Sequence, residues 1–142
     1  MYRTSRAFLR VATIVGTVFG ALILAMVPAF FVFGVSSTIG DMLIKAIEDG
    51  SIAVHSNHDI PAKDIVLIFQ ISFILTGVVL LIVGAMCVAN AIIASKTRNE
   101  PTRGRYIACI VTGALSTDFS IVGGILGLIY LKRQERQKQI EE

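Results

Sequence analysis

The stretch RGRYIACIVTGALSTDFSIVGGILGLIYLK, residues 103–132, decides how the rest of the chain is threaded. It is apolar, it is bounded by basic residues at both ends, and it carries one acid, Asp118, near its middle. One helix over residues 106–131 would be about 39 Å long, which is enough to cross a bilayer. If the same stretch folds into a hairpin, the chain returns to the side from which it came.

The length of this stretch favours a single span, whereas Asp118 and the basic residues after the stretch favour a hairpin. As a single span, it places the Asp118 carboxylate near mid-membrane, at a cost of about 2.5–3.5 kcal/mol unless the acid is paired, protonated or hydrated. As a hairpin, it turns at Ser116–Ser120, because Ser, Thr and Asp are turn and N-cap residues, and Asp118 caps the second arm. The arms 106–117 and 119–131 would each be about 18 Å long, shorter than the hydrocarbon core. The two alternatives are evenly balanced. Small residues that would let the arms pack closely are Gly113, Gly123, Gly124 and Gly127.

The composition indicates an integral membrane protein. Of the 142 residues, 54% are hydrophobic and 16% are charged, whereas about a quarter of a soluble domain is charged. The apolar residues form long uninterrupted runs, and both cysteines, Cys87 and Cys109, lie inside these runs, where they are interpreted as packing residues. Positive charge lies in short patches beside the runs and is not interleaved with aromatic residues. This pattern predicts contact with lipid headgroups and no binding of nucleic acid.

The first apolar run, Val11–Val35, follows the basic start MYRTSRAFLR. At about 25 residues it exceeds the h-region of a cleavable signal peptide, so an uncleaved membrane span over residues 7–35 is predicted. Gly16 and Gly20 form a GxxxG pattern within it. This pattern either permits close contact with another helix or reflects the ordinary glycine content of membrane spans.

A polar loop over residues 36–64 comes next. Thr38 and Asp41 fit a capping box, and apolar residues recur after them at helical spacing. We therefore expect a short amphipathic helix that ends near Gly50 and lies on the outer membrane surface or caps the bundle.

The same loop carries His55, His58 and Asp59, which are residue types that bind metals. Neither a pattern for a third ligand nor an HExxH motif accompanies them. An exposed polar loop is therefore the preferred interpretation, and no metal ligand is predicted.

The second apolar run is predicted to form a span over residues 65–95 that tilts or projects beyond the bilayer, because it would be about 46 Å long. The polar side chains inside it are expected to hydrogen-bond between helices and not to line a permeation path. These side chains are Gln70, Ser72, Thr76 and Asn90.

The distribution of Lys and Arg predicts the topology. Three arginines precede the first span and four basic residues lie in the short loop 96–105, which places the N-terminus and this loop in the cytoplasm and the loop 36–64 outside. The charged tail 132–142 is expected to continue as helix into water. Its four basic residues favour a cytoplasmic C-terminus.

Several segments together form a recognisable pattern: RTSRAFLRVATIVGTVFGALI, TGVVLLIVGAM, YIACIVTGALS and FSIVGGILGLIYLKR. In these segments the chain resembles a family of small multi-pass membrane proteins of unknown function, found mainly in Gram-positive bacteria. Members often end in a Gly-rich apolar segment followed by Lys or Arg. They are usually drawn with four segments, so the resemblance implies the hairpin. It implies no catalytic residue.

The motifs of the common enzyme classes are missing from the sequence: there is no HExxH, no GxGxxG, no Walker A and no Ser-His-Asp set. No catalytic, cofactor-binding or metal-binding residue is predicted, and no cofactor. The predicted fold is an all-α integral membrane protein of the cell membrane, forming a single membrane domain. It has two long transmembrane helices, a short amphipathic helix in the outer loop, and a C-terminal hairpin or third span.

The favoured function is that of a structural or accessory protein of the cell envelope. Such a protein would act by packing its helices against a second copy of itself or against a membrane-protein partner. The spans are rich in small residues and nearly uncharged, which motivates this prediction. One alternative is a pore-forming, holin-like or transport-accessory component, which the intramembrane Asp118 suggests. Another is an immunity-type protein against membrane-active peptides.

Overall fold

The structure is a computed structural model that describes residues 2–54, 59–116 and 118–141. In these ranges the chain forms five helices and no strand, so the fold is all-helical as predicted. The helices are α1 (Tyr2–Val35), α2 (Ser37–Glu48), α3 (Ala62–Asn99), α4 (Arg103–Ser116) and α5 (Asp118–Glu141).

Two of the helices are long and apolar enough to cross a membrane. α1 has 34 residues and a mean hydropathy of 2.5 in its most apolar stretch, and α3 has 38 residues and a value of 2.8. Only 17% and 11% of these stretches are buried inside the chain. A core helix of a soluble protein buries most of such a stretch, so these two helices present their apolar side chains outward.

The helices extend further than the predicted spans. α3 continues to Asn99 and α4 begins at Arg103, so the predicted loop 96–105 is helical except at residues 100–102. Pro101 accounts for the break, because the residue before a proline is disfavoured in the α conformation. The amide of Glu100 still donates to the carbonyl of Lys96 at 2.9 Å, which closes the last turn of α3.

The chain forms two compact units. The first comprises the residues up to Ile23 and those from Ile82 onward, and it contains the beginning of α1, the end of α3, and α4 and α5. Its buried core is small, and Ile93, Leu128 and Leu131 pack against it. The fully buried members of this core are Leu9, Ala12, Ala94, Tyr106 and Cys109.

Within the first unit, α4 and α5 pack against each other in antiparallel fashion. Gly113 near the end of α4 lies against Ser120 near the start of α5, and Tyr106 near the start of α4 lies against Gly127 further along α5. Residues 132–140 prolong α5 as an exposed helix, as expected for the charged tail.

The second unit, Leu24–Leu81, contains the end of α1, α2 and the beginning of α3. Gly34 allows α1 to approach α3, because a Cβ at this position would lie 3.1 Å from the carbonyl oxygen of Gln70. The ring of Phe73 stacks on Phe33 with centroids 5.8 Å apart and contacts Phe30 at 5.9 Å. These contacts join the two helices on the predicted outer side of the chain.

The helix α2 begins earlier than the predicted capping box implied. Ser36 is the N-cap, and its side chain accepts a hydrogen bond from the amide of Ile39 at 3.4 Å, so Thr38 and Asp41 lie inside the helix. The helix ends at Glu48, and Gly50 follows with φ +73°. This is the left-handed conformation of a C′ glycine, as predicted for this position.

Candidate functional site

The candidate site is the helix-packing interface of the first unit. It begins with the GxxxG pattern of α1. A Cβ on Gly16 would lie 3.0 Å from the carbonyl oxygen of Cys87 and 3.2 Å from the Cβ of Ala91. A Cβ on Gly20 would lie 2.8 Å from a methyl carbon of Val88. Both glycines therefore permit the close approach of α1 to α3, and of the two interpretations the packing one is correct.

A buried hydrogen bond joins α3 to α4. The hydroxyl of Thr112 donates to the side-chain oxygen of Asn90 at 2.8 Å, and Asn90 is fully buried. The same hydroxyl lies 2.8 Å from the carbonyl of Ala108 in its own helix. The prediction that Asn90 bonds between helices is confirmed. In an apolar surrounding such a bond favours one register of the two helices, because sliding would break it.

Thr97 and Cys109 make a second polar contact between α3 and α4. The Thr97 Oγ1 lies 3.3 Å from the Cys109 Sγ and 2.7 Å from the carbonyl of Ile93, and both side chains are fully buried. Cys87 and Cys109 are both free thiols inside the packed unit. Their role here is packing, as the sequence predicts.

The helix α5 contacts two neighbours through its glycines. A Cβ on Gly127 would overlap the ring of Tyr106, and one on Gly124 would lie 2.9 Å from the Tyr106 carbonyl oxygen, so both glycines face α4. Gly123 faces α1, because its Cβ would lie 3.0 Å from Leu9. The carbonyl of Gly123 also accepts a hydrogen bond from the Ser5 hydroxyl at 2.8 Å. The prediction that Gly123 serves the hairpin contact is therefore wrong.

Asp118 lies in the first turn of α5 and is exposed. A carboxylate at this position interacts favourably with the partial positive charge of the helix N-terminus. The prediction of a turn over Ser116–Ser120 is wrong in its extent, because Ser116 belongs to α4 and Asp118–Ser120 belong to α5. Thr117, the one residue between the two helices, lies outside the described residues.

No family model matches this chain, and no curated protein or solved structure matches it.

The other polar residues of α3 divide into two kinds. Gln70 donates from its side-chain nitrogen to the carbonyl of Ser36 at 3.2 Å, so it bonds outside its own helix as predicted. Ser72 and Thr76 instead donate to the carbonyls of Ile68 and Ser72, four residues earlier in α3. Short hydroxyl side chains reach this carbonyl easily, which is why the expectation of interhelical bonds is wrong for these two residues.

The predicted exposed loop contains His55 and His58, which lie outside the described residues. Among the residues that the structure does describe, no three His, Cys, Asp or Glu side chains come together as metal ligands. The interface of the first unit thus contains hydroxyls, one amide, thiols and small residues. This set can hold helices in register.

Proposed function

We propose that the protein is a multi-pass integral membrane protein of the cell envelope with a cytoplasmic N-terminus, and that it acts as a structural or accessory component. It would act by packing its helices against a second copy or against a membrane-protein partner. The single observation that carries the proposal is the outward-facing apolar surface of α1 and α3, whose most apolar stretches are only 17% and 11% buried.

The balance of polar and apolar surface supports packing as the activity. Buried polar side chains of the first unit form hydrogen bonds within it, as in the bonds from Thr112 to Asn90 and from Ser5 to Gly123. On the apolar parts of α1 and α3 the exposed side chains include the bulky residues Leu22, Met26 and Leu75. Such a surface contacts lipid tails or other helices by van der Waals packing.

The topology in the proposal rests on charge. Three arginines precede the apolar part of α1, and basic residues lie at the end of α3, at the start of α4 and after the apolar part of α5. These positions are on one side of the membrane if α4 and α5 form a re-entrant hairpin. The antiparallel contacts of Gly113 with Ser120 and of Gly127 with Tyr106 support the hairpin over a third span.

Membrane extraction and crosslinking test the proposal together. We expect the protein to remain in the membrane fraction after alkaline carbonate washing, and photocrosslinkers placed at exposed apolar positions of α1 or α3 to capture a second copy or a defined partner. Release by carbonate would contradict integral insertion. A monodisperse monomer with no crosslinked product in native membranes would contradict packing as the activity.

A pore-forming activity receives less support. That alternative depended on Asp118 as an acid within a single third span, whereas Asp118 lies in the first turn of α5, after α4 has ended. The immunity-type alternative depended on size and topology only. Both remain predictions from the sequence.

A further inference from the structure

Four arginines converge on one open cleft of about 500 Å³ in the first unit. Three come from the first turns of α1, where their spacing of three and four residues places them on one face of the helix. The fourth comes from the last turn of α3, so the cluster exists only in the folded chain. The cleft is lined by Arg3, Arg6, Ala7, Arg10, Arg98 and Asn99.

The cleft arginines have no carboxylate partner in the described part of the chain. There, the one ion pair joins Arg105 to Glu100 at 2.6 Å, and neither residue lines the cleft. Arg6 lies over the ring of Tyr2, with its guanidinium carbon 5.4 Å from the ring centroid. Four guanidinium groups around one cleft repel one another, and an anion between them would relieve this repulsion. Guanidinium groups match phosphate oxygens in a bidentate manner.

The position of the cleft along the helices identifies the source of the phosphate. The apolar run of α1 starts at Val11, immediately after the last cleft arginine of this helix. On the following turns, Val11, Ile14 and Val18 are 41%, 58% and 50% exposed. An acyl chain could lie along these side chains while the headgroup of the same lipid enters the cleft. Free phosphate has no acyl chain, so an exposed apolar surface beside the cleft favours a lipid as the source.

We propose that this cleft is a binding site for the phosphate of an anionic phospholipid in the leaflet that faces the N-terminus. The inference rests on the proposed membrane insertion. Arg3 also lines a second cleft of about 530 Å³ with Tyr2, Tyr130 and Arg133. The basic surface therefore continues from the phosphate site toward α5, and it would hold the rest of an anionic headgroup.

Native mass spectrometry of the detergent-solubilised protein tests the site. The protein is titrated with phosphatidylglycerol or with phosphatidylcholine, and the lipid-bound fraction is measured. We expect a preference for phosphatidylglycerol that falls about tenfold or more in the double variant Arg6→Gln with Arg98→Gln. The matched control, Lys132→Gln with Arg136→Gln, removes two charges from the exposed part of α5 and is expected to change binding by less than about twofold.

The remaining outcomes also decide the question. Equal loss in both double variants would show general charge attraction and overturn the site. Displacement of the lipid by millimolar inorganic phosphate would show a phosphate site without lipid specificity and overturn the lipid assignment. Equal binding of the two lipids by a protein that still resists carbonate extraction would overturn this inference alone and leave the membrane proposal intact. Thermal unfolding of both double variants shows whether each is folded, and the single variant Arg98→Gln replaces the double variant if that one is not.

Discussion

At the scale of single residues, the packing of α5 on α4 depends on the contact between Gly127 and the ring of Tyr106. A Cβ at this position would overlap the ring, which is fully buried. We therefore expect Gly127→Ala to lower the stability of the protein by about 1–3 kcal/mol, although alanine favours a helix. The control is Gly104→Ala in α4, where nothing lies within 4 Å of the added carbon. Thermal unfolding in detergent measures both, and equal stabilities would contradict this packing.

Asn90 and Thr112 give a second prediction at the residue scale. Their hydrogen bond of 2.8 Å joins α3 to α4, and interhelical bonds in membrane proteins contribute about 0.6–1.7 kcal/mol. Asn90→Ala and Thr112→Val should each destabilise the protein, and the double variant should lose less than the sum of the two because they remove the same bond. Thr17→Val is the control, since Thr17 is exposed and bonds only within α1. Strict additivity in the double-mutant cycle would show that the two side chains do not interact.

A third residue, Ser120, has a buried hydroxyl without a hydrogen-bond partner in the described chain. Burial of an unsatisfied hydroxyl costs about 1–3 kcal/mol. We expect Ser120→Ala to raise the unfolding temperature, while Ser116→Ala, which removes a hydrogen bond of 2.9 Å to the carbonyl of Thr112, does not. A lower unfolding temperature for Ser120→Ala would mean that the hydroxyl has a partner, such as a bound water.

At the scale of helices, the end of α2 depends on Gly50. Its φ of +73° is unfavourable for a residue with a Cβ, by about 1–2 kcal/mol. Gly50→Ala should therefore fray the last turn of α2, and Gly50→Asn should do so less, because asparagine tolerates this conformation. Hydrogen exchange of the Gly50 and Ile52 amides, which donate to the carbonyls of Ile47 and Ala46, reports the fraying. Equal exchange in the two variants would show that the left-handed turn does not hold the helix end.

The two long helices could be predicted, because uncharged runs of this length seldom adopt any other structure. The residues at which these helices begin and end could not be predicted. α1 starts at Tyr2 and α3 reaches Asn99, since charged residues also form helix once a span has nucleated it. The break between α4 and α5 was one of two balanced alternatives, because length and charge disagreed. The arginine cleft could not be predicted from the sequence, because it requires α1 to pack beside the end of α3. Hydropathy does not show which helices pack together.

At the scale of the whole molecule, the central proposal is a membrane topology. In this proposal both termini lie on the cytoplasmic side of the membrane, with α1 and α3 as spans and α4 and α5 as a re-entrant hairpin. The pattern of basic residues and the break before Asp118 support this topology. A third span would instead carry the exposed helix after Leu131 to the outside, against its own charge.

The most direct test is the accessibility of a cysteine at Gln139, in the exposed part of α5, to an impermeant maleimide. Cys87 and Cys109 are buried, at 5% and 0% exposure, so the unmodified protein is the blank, and a cysteine at exposed Ser51 is the positive control for the outer side. We expect labelling of Ser51→Cys in intact cells and of Gln139→Cys only after the membrane is opened. Labelling of Gln139→Cys in intact cells would contradict the hairpin and place a third span between residues 106 and 131.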